Sequence, residues 1–149
     1  MDKDTIAVVI SLVSLVVSII LAVYQINTNF KMNKVNIKYN ACEKIFDNYL
    51  IKEIPDKRRL LKFDKTGKLT GANELKNIIV DMIKDSLYFR YNDKPFYDNL
   101  IENLQQLEDF IVNSINKKYD SVRQCDFYNN IEKFLSEIYK IIEDKKIKG

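Results

Sequence analysis

The chain has 149 residues, a net charge of +3, two cysteines and no histidine. Without histidine it lacks the commonest general base, the histidine-dependent nucleophile triads and most zinc sites. Three glycines and two prolines in so long a chain leave few tight turns, and with long stretches of 3.6-residue periodicity they predict an all-α fold built on one modest core.

Residues 1–5 read as a short extracytoplasmic tail. Ile6 to Tyr24 then form an apolar run with no charge, proline or glycine, and thirteen of its positions are Val, Ile or Leu. A helix of about 19 residues at roughly 1.5 Å each reaches about 28 Å, the thickness of a bilayer's hydrocarbon core. A transmembrane helix over 6–25 is therefore expected. It is expected to be retained rather than cleaved as a signal, because Asp2, Lys3 and Asp4 make a poor basic leader and the surroundings of Ala22 a poor cleavage site. Lys31, Lys34 and Lys38 follow the run, whereas one lysine and two aspartates precede it. The positive-inside rule then places the N-terminus outside and the C-terminal domain in the cytoplasm of a single-pass membrane protein. Cys42 and Cys125 fit that reducing compartment as free thiols.

Within the run, Ala7, Ser11, Ser14, Ser18, Ala22 and Gln25 fall in an arc of roughly 80° at 100° per residue. Small and hydroxyl side chains at such spacing let helices pack closely in lipid and bond across the interface; the blander use of each serine is a bond back to its own helix. The same alternation of three- and four-residue steps continues through Thr28, Met32, Val35, Tyr39, Cys42, Phe46 and Tyr49. Its residues become more apolar where the solvent changes from lipid to water, as a coiled-coil seam crossing the interface requires. A juxtamembrane stalk helix over 26–52 is expected, with homo-oligomer contacts at Ala7, Ser11, Ser14, Ser18, Ala22, Gln25, Met32, Val35 and Tyr39. Ile37, Ile45 and Leu50 lie beside the seam and are candidates to face the chain's own soluble domain.

Pro55 is expected to end the stalk and Asp56 to cap one or two basic helical turns; 53–71 reads as a basic loop segment, with two glycines that suit a loop or small hairpin. Residues 31–71 hold eleven Lys or Arg against five acids. Lys57, Arg58, Arg59, Lys62, Lys65 and Lys68 are accordingly the candidate anion- and lipid-binding set. Attraction to anionic headgroups is the favoured use; plain solvation ranks next, and a nucleotide or nucleic-acid site last.

Residues 72–149 predict a small antiparallel helical bundle. Its first helix carries Leu75, Ile78, Ile79, Met82, Ile83 and Leu87 on one face, and Tyr88, Phe89 and Tyr91 continue it. The next starts at Pro95, favourable in a first turn, and runs on Phe96, Leu100, Ile101, Leu104, Leu107, Phe110, Ile111 and Ile115. The last starts near Asp120 and runs from Val122 to Ile142, followed by a lysine-rich tail. Asp81 with Asp85, and Glu108 with Asp109, are paired carboxylates that read as solvated faces. The cluster Tyr88, Phe89, Arg90, Tyr91, Phe96 and Tyr97 reads as bundle-end packing rather than a base-stacking platform. No catalytic set, metal site or cofactor is expected.

A single span on a small cytoplasmic helical domain resembles, in outline, small bacterial membrane effectors and accessory proteins of defence or mobile-element systems. The resemblance is one of architecture alone; the residues themselves lead to the expectation of a non-enzymatic protein that self-associates through its span while its helical domain binds a cytoplasmic partner or signal. Two alternatives stand beside it: a membrane-tethered sensor that takes an anionic ligand such as a nucleotide at the basic segment, and an inert anchor for a protein-interaction domain.

Overall fold

The computed structural model describes residues 2–148, without the side chains of Thr5 and Lys148. The chain is mostly helical, 86%. It divides into two units, Met1–Ile37 and Lys38–Gly149.

Residues 3–37 of the first unit belong to helix α1, Lys3–Ile45. Its richest 18-residue window has a mean hydropathy of 3.1, and none of that window is buried. Among the described residues there is thus one helix, near the N-terminus, that is long and apolar enough to cross a membrane.

The second unit begins on the last turns of α1 and continues without a break into a π-helical segment, Phe46–Glu53, then the short α2, Ile54–Arg58. Pro55 does not stop the helix as expected; it occupies the first turn of α2, where a missing N–H costs least. The wide segment has a cause in the residue pattern. Cys42, Ile45 and Tyr49 are buried on one face, but the next buried residues are Leu50 and Ile54, which a regular α-helix would carry well over a quarter-turn away. Pairing from i to i+5 turns the chain by roughly 80° per residue instead of 100°, and this brings all five residues back into line.

A two-stranded antiparallel hairpin follows, β1 (Lys62–Phe63) against β2 (Leu69–Thr70), with Phe63 opposite Leu69. Asp64 builds its turn: Oδ1 accepts from the Thr66 N–H and Oγ1, both at 2.7 Å, and from the Lys68 N–H at 3.0 Å. The Thr66 hydroxyl first, with the Lys68 and Thr66 amides, holds this carboxyl below the usual carboxylate range.

Helix α3, Ala72–Asp85, ends at Ser86, whose buried hydroxyl donates to the Met82 carbonyl at 2.7 Å. The expected single helix through Tyr91 is therefore two, α3 and the short α4, Leu87–Asn92. Helix α5, Lys94–Ile115, opens with Asp93 as its cap, accepting from the Phe96 N–H at 3.4 Å, and with Pro95 in the first turn. Helix α6, Ser121–Lys148, starts after Asp120, which accepts from the Arg123 N–H at 2.9 Å. It runs beyond Ile142, so the lysine-rich tail is helical as far as Lys148.

Helix α5 packs against both α3 and α6. Leu75, Ile79 and Met82 of α3, Leu100, Leu104, Leu107 and Ile111 of α5, and Phe127, Ile131, Ile138 and Ile142 of α6 are each 1% exposed or less. Full burial of such side chains contributes about 1.5–3 kcal/mol each before chain entropy is set against it. Phe63 of the hairpin joins this core through rings of Tyr119, Phe127 and Tyr128, with centroids 5.1–5.7 Å apart.

Candidate functional site

Two features stand out for function: the bare apolar helix of the first unit, and the basic segment of the second.

On the bare helix, Ala7, Ser11, Ser14, Ser18, Ala22, Gln25, Met32 and Val35 are all exposed, as is Tyr39 in the second unit. Ser11 donates to the Ala7 carbonyl at 2.9 Å and Ser18 to the Ser14 carbonyl at 2.8 Å; beyond the run, Thr28 does the same to Tyr24 at 2.9 Å. A hydroxyl bonded in this way needs no partner helix for its proton, yet its oxygen keeps a free lone pair. The small side chains leave a shallow face on which another helix can approach closely.

The expected seam does not continue freely past Tyr39. Cys42 and Tyr49 are buried in their own domain's core, alongside Ile45 and Leu50. Cys42 Sγ lies 3.9 Å from the Ile142 carbonyl, and burial pushes its thiol above the ordinary value. Phe46 is half-buried under the Lys146 ammonium, 4.6 Å from its ring centre. These three positions are used inside one chain, so any seam between copies ends before Cys42. Heptad spacing alone cannot tell the two uses apart.

The basic residues are dispersed by the fold. Arg58 sits at the end of α2 with its Nη2 3.8 Å from Glu132, and Arg59 follows with its Nη1 4.0 Å from Asp56. Lys57 is half-buried on α2. Lys62 lies on β1, Lys65 in the hairpin turn and Lys68 beside β2; Lys62 and Lys65 are exposed. Both pairs are long and join exposed side chains, so they hold the guanidiniums only weakly. The fold adds two cations that chain position does not suggest. Lys68 pairs with Lys118 in an isolated bridge, and the Tyr119 N–H donates to the Gly67 carbonyl at 2.9 Å. Lys117 and Lys118 of the α5–α6 link therefore stand beside the hairpin lysines.

Of the aromatic cluster, Phe89 is fully buried against Phe96 and Tyr88, at centroid separations of 4.8 and 5.2 Å, as bundle-end packing requires. Among its rings Tyr91 alone is strongly exposed, at 83%. Asp81 pairs with Lys84 at 3.0 Å, while Asp85 accepts from the Tyr49 hydroxyl at 2.7 Å, so this carboxylate is structural rather than a bare solvated face. Among the described residues no group of His, Cys, Asp or Glu is placed to hold a metal ion. A groove of about 510 Å³ runs between α5 and α6 and is lined by Phe96, Asn99, Asn103, Glu137, Lys140, Ile141, Asp144 and Lys145. It is open and mixed in charge.

One set of residues escaped the sequence reading. The Tyr139 hydroxyl donates to the Leu50 carbonyl in the π-helical segment. A proline five residues after a buried carbonyl is the signal that could have pointed to it.

No family model, curated protein or solved structure matches the chain.

Proposed function

We propose that this is a non-enzymatic, single-pass membrane protein that self-associates through its span and holds a cytoplasmic antiparallel helical bundle for a partner or signal. The observation that carries the reading is the apolar window of the first unit, uncovered along its whole length. Thirteen Val, Ile and Leu residues there favour insertion by on the order of 4–8 kcal/mol, and so large a contiguous apolar surface left bare marks a membrane or protein contact. The excess of lysine after the run supports an N-terminus outside and a C-terminal domain inside. The Ser11–Ser14–Ser18 face supports assembly between copies, with membrane lipid covering the remainder.

Cysteine crosslinking tests the assembly. Single cysteines placed at 11, 14 and 18, in a chain whose own Cys42 and Cys125 are replaced by serine, should crosslink strongly. Cysteines at 12, 16 and 20 should not. A flat yield along the helix refutes self-association through this face.

The rival reading, a tethered sensor for an anionic ligand, has less behind it, because the fold spreads its cations over α2 and the hairpin rather than around one pocket. Calorimetry of the full chain with nucleotides should register no binding that a double Arg58→Ala, Arg59→Ala variant loses.

A further inference from the structure

The π-helical segment contains a hydrogen-bonding problem and its solution. In its i to i+5 register the Ile54 N–H donates to the Tyr49 carbonyl. One residue further on, the Leu50 carbonyl would take the N–H of residue 55, which is proline and has none. Leu50 is fully buried, so its carbonyl relies on a donor from within the protein, and an orphaned carbonyl there is costly. The Tyr139 hydroxyl of α6 supplies the bond.

The regular α register distributes the same groups differently. The Ile54 N–H would pair with Leu50, and the carbonyl left facing Pro55 would belong to Ile51. Ile51 is 54% exposed, which gives water a route to its orphan. Without Tyr139, therefore, backbone satisfaction favours the α register, and with Tyr139 it favours the π register.

We propose that Tyr139 is a register lock: its hydroxyl holds residues 46–53 in the π-helical form, and its withdrawal lets the segment tighten to an α-helix. At roughly 20° more per residue, tightening turns the chain by about 160° over the segment's eight residues. Cys42 and Ile45 then rotate out of line with Leu50 and Ile54 and leave the core they now fill. The Tyr49 hydroxyl on Asp85 acts in the same sense, fixing the middle of the wide segment to α3. A discrete two-state element of this kind is what a bundle needs to pass a bound signal along a helix. The lock operates within one chain and holds whether or not copies associate.

Pro55 and Tyr139 should be energetically coupled, because Pro55→Ala restores a backbone donor and makes the hydroxyl dispensable. The test uses the full chain in detergent as wild type, Tyr139→Phe, Pro55→Ala and the double variant, all carrying Cys125→Ser so that Cys42 is the sole thiol. Maleimide labelling of Cys42 reads the register, and amide exchange at Leu104 and Leu107 of α5 reads the integrity of the core. Tyr139→Phe should lower the folding equilibrium constant by about tenfold, so α5 amides exchange at most about tenfold faster, while the Cys42 labelling rate should rise by clearly more than α5 exchange does. In the Pro55→Ala background the same change should lower that constant by less than about threefold. If Tyr139→Phe does not fold at all, Pro55→Ala must rescue it. Equal losses in both backgrounds, no rescue, or Cys42 and α5 opening in parallel overturns the lock.

Discussion

The Tyr49 hydroxyl donates to Asp85 Oδ2 across 2.7 Å and ties the π-helical segment to the last turn of α3. Burial first, then the hydrogen bond to Asp85 and the charges of Asp85, Asp81 and Glu53, raise this phenol well above the ordinary tyrosine value. A raised value means that the folded chain holds the proton more tightly than the unfolded one. The contribution to stability is complete below about pH 10, the ordinary phenol range, and is lost as pH rises through the folded value. Tyr49→Phe should cost about 1–2 kcal/mol at neutral pH and flatten the alkaline limb of a stability profile. Burial also raises Tyr128 and Tyr139, so a residual alkaline slope remains.

Asp93 carries the acid limb. It caps α5 and accepts from Lys145 Nζ at 2.7 Å, with both side chains about four-fifths buried. The Lys145 hydrogen bond and charge, the Phe96 amide and the Lys38 charge outweigh burial and lower its value. A lowered carboxyl stabilises the fold above its unfolded value and loses that contribution as pH falls through the folded one. Asp93→Ala should destabilise by about 1–2 kcal/mol from the lost cap. Asp93→Asn, which keeps a capping oxygen, should cost less and should remove part of the acid dependence. Urea denaturation across the acid range, from neutral pH to below the ordinary carboxylate value, checks both.

Gly71 has a φ of +73° where the chain enters α3, and a Cβ there would collide with the Leu60 carbonyl. Gly71→Ala should therefore cost about 2 kcal/mol or more, measured as a fall in urea midpoint with unchanged helix content.

Much of the fold was legible in the residues. The apolar run needs only length and composition, and α3, α5 and α6 follow from buried residues at three- and four-residue steps. Two things were hidden for a physical reason. The seam through Cys42, Phe46 and Tyr49 has spacing that suits a second copy as well as the chain's own core; only tertiary packing decides between them. The π-helical segment is a choice of hydrogen-bond partner, and its traces in the residues are Pro55 and the shift of buried positions from Tyr49 to Leu50. Likewise α6 continues past Ile142 because Lys145 and Lys146 find Asp93 and Phe46, partners distant in the chain. Of the candidate site, the serine face was readable as a stripe, whereas Lys117 and Lys118 join the hairpin lysines only through the Lys68–Lys118 bridge.

Replacing Ser11, Ser14 and Ser18 together by leucine should leave membrane insertion intact, since each change favours lipid by on the order of 0.5–1 kcal/mol. The leucines should nevertheless abolish association by filling the face on which helices approach. Extraction at alkaline pH checks insertion: both proteins should stay with the membrane pellet.

The most direct measurement is the mass of the full-length chain in mild detergent, by light scattering with the detergent contribution subtracted, for the wild type and the triple leucine variant. Assembly through the span predicts an integer multiple of the chain mass for the wild type and a single chain for the variant. A monodisperse wild type at the mass of one chain contradicts it.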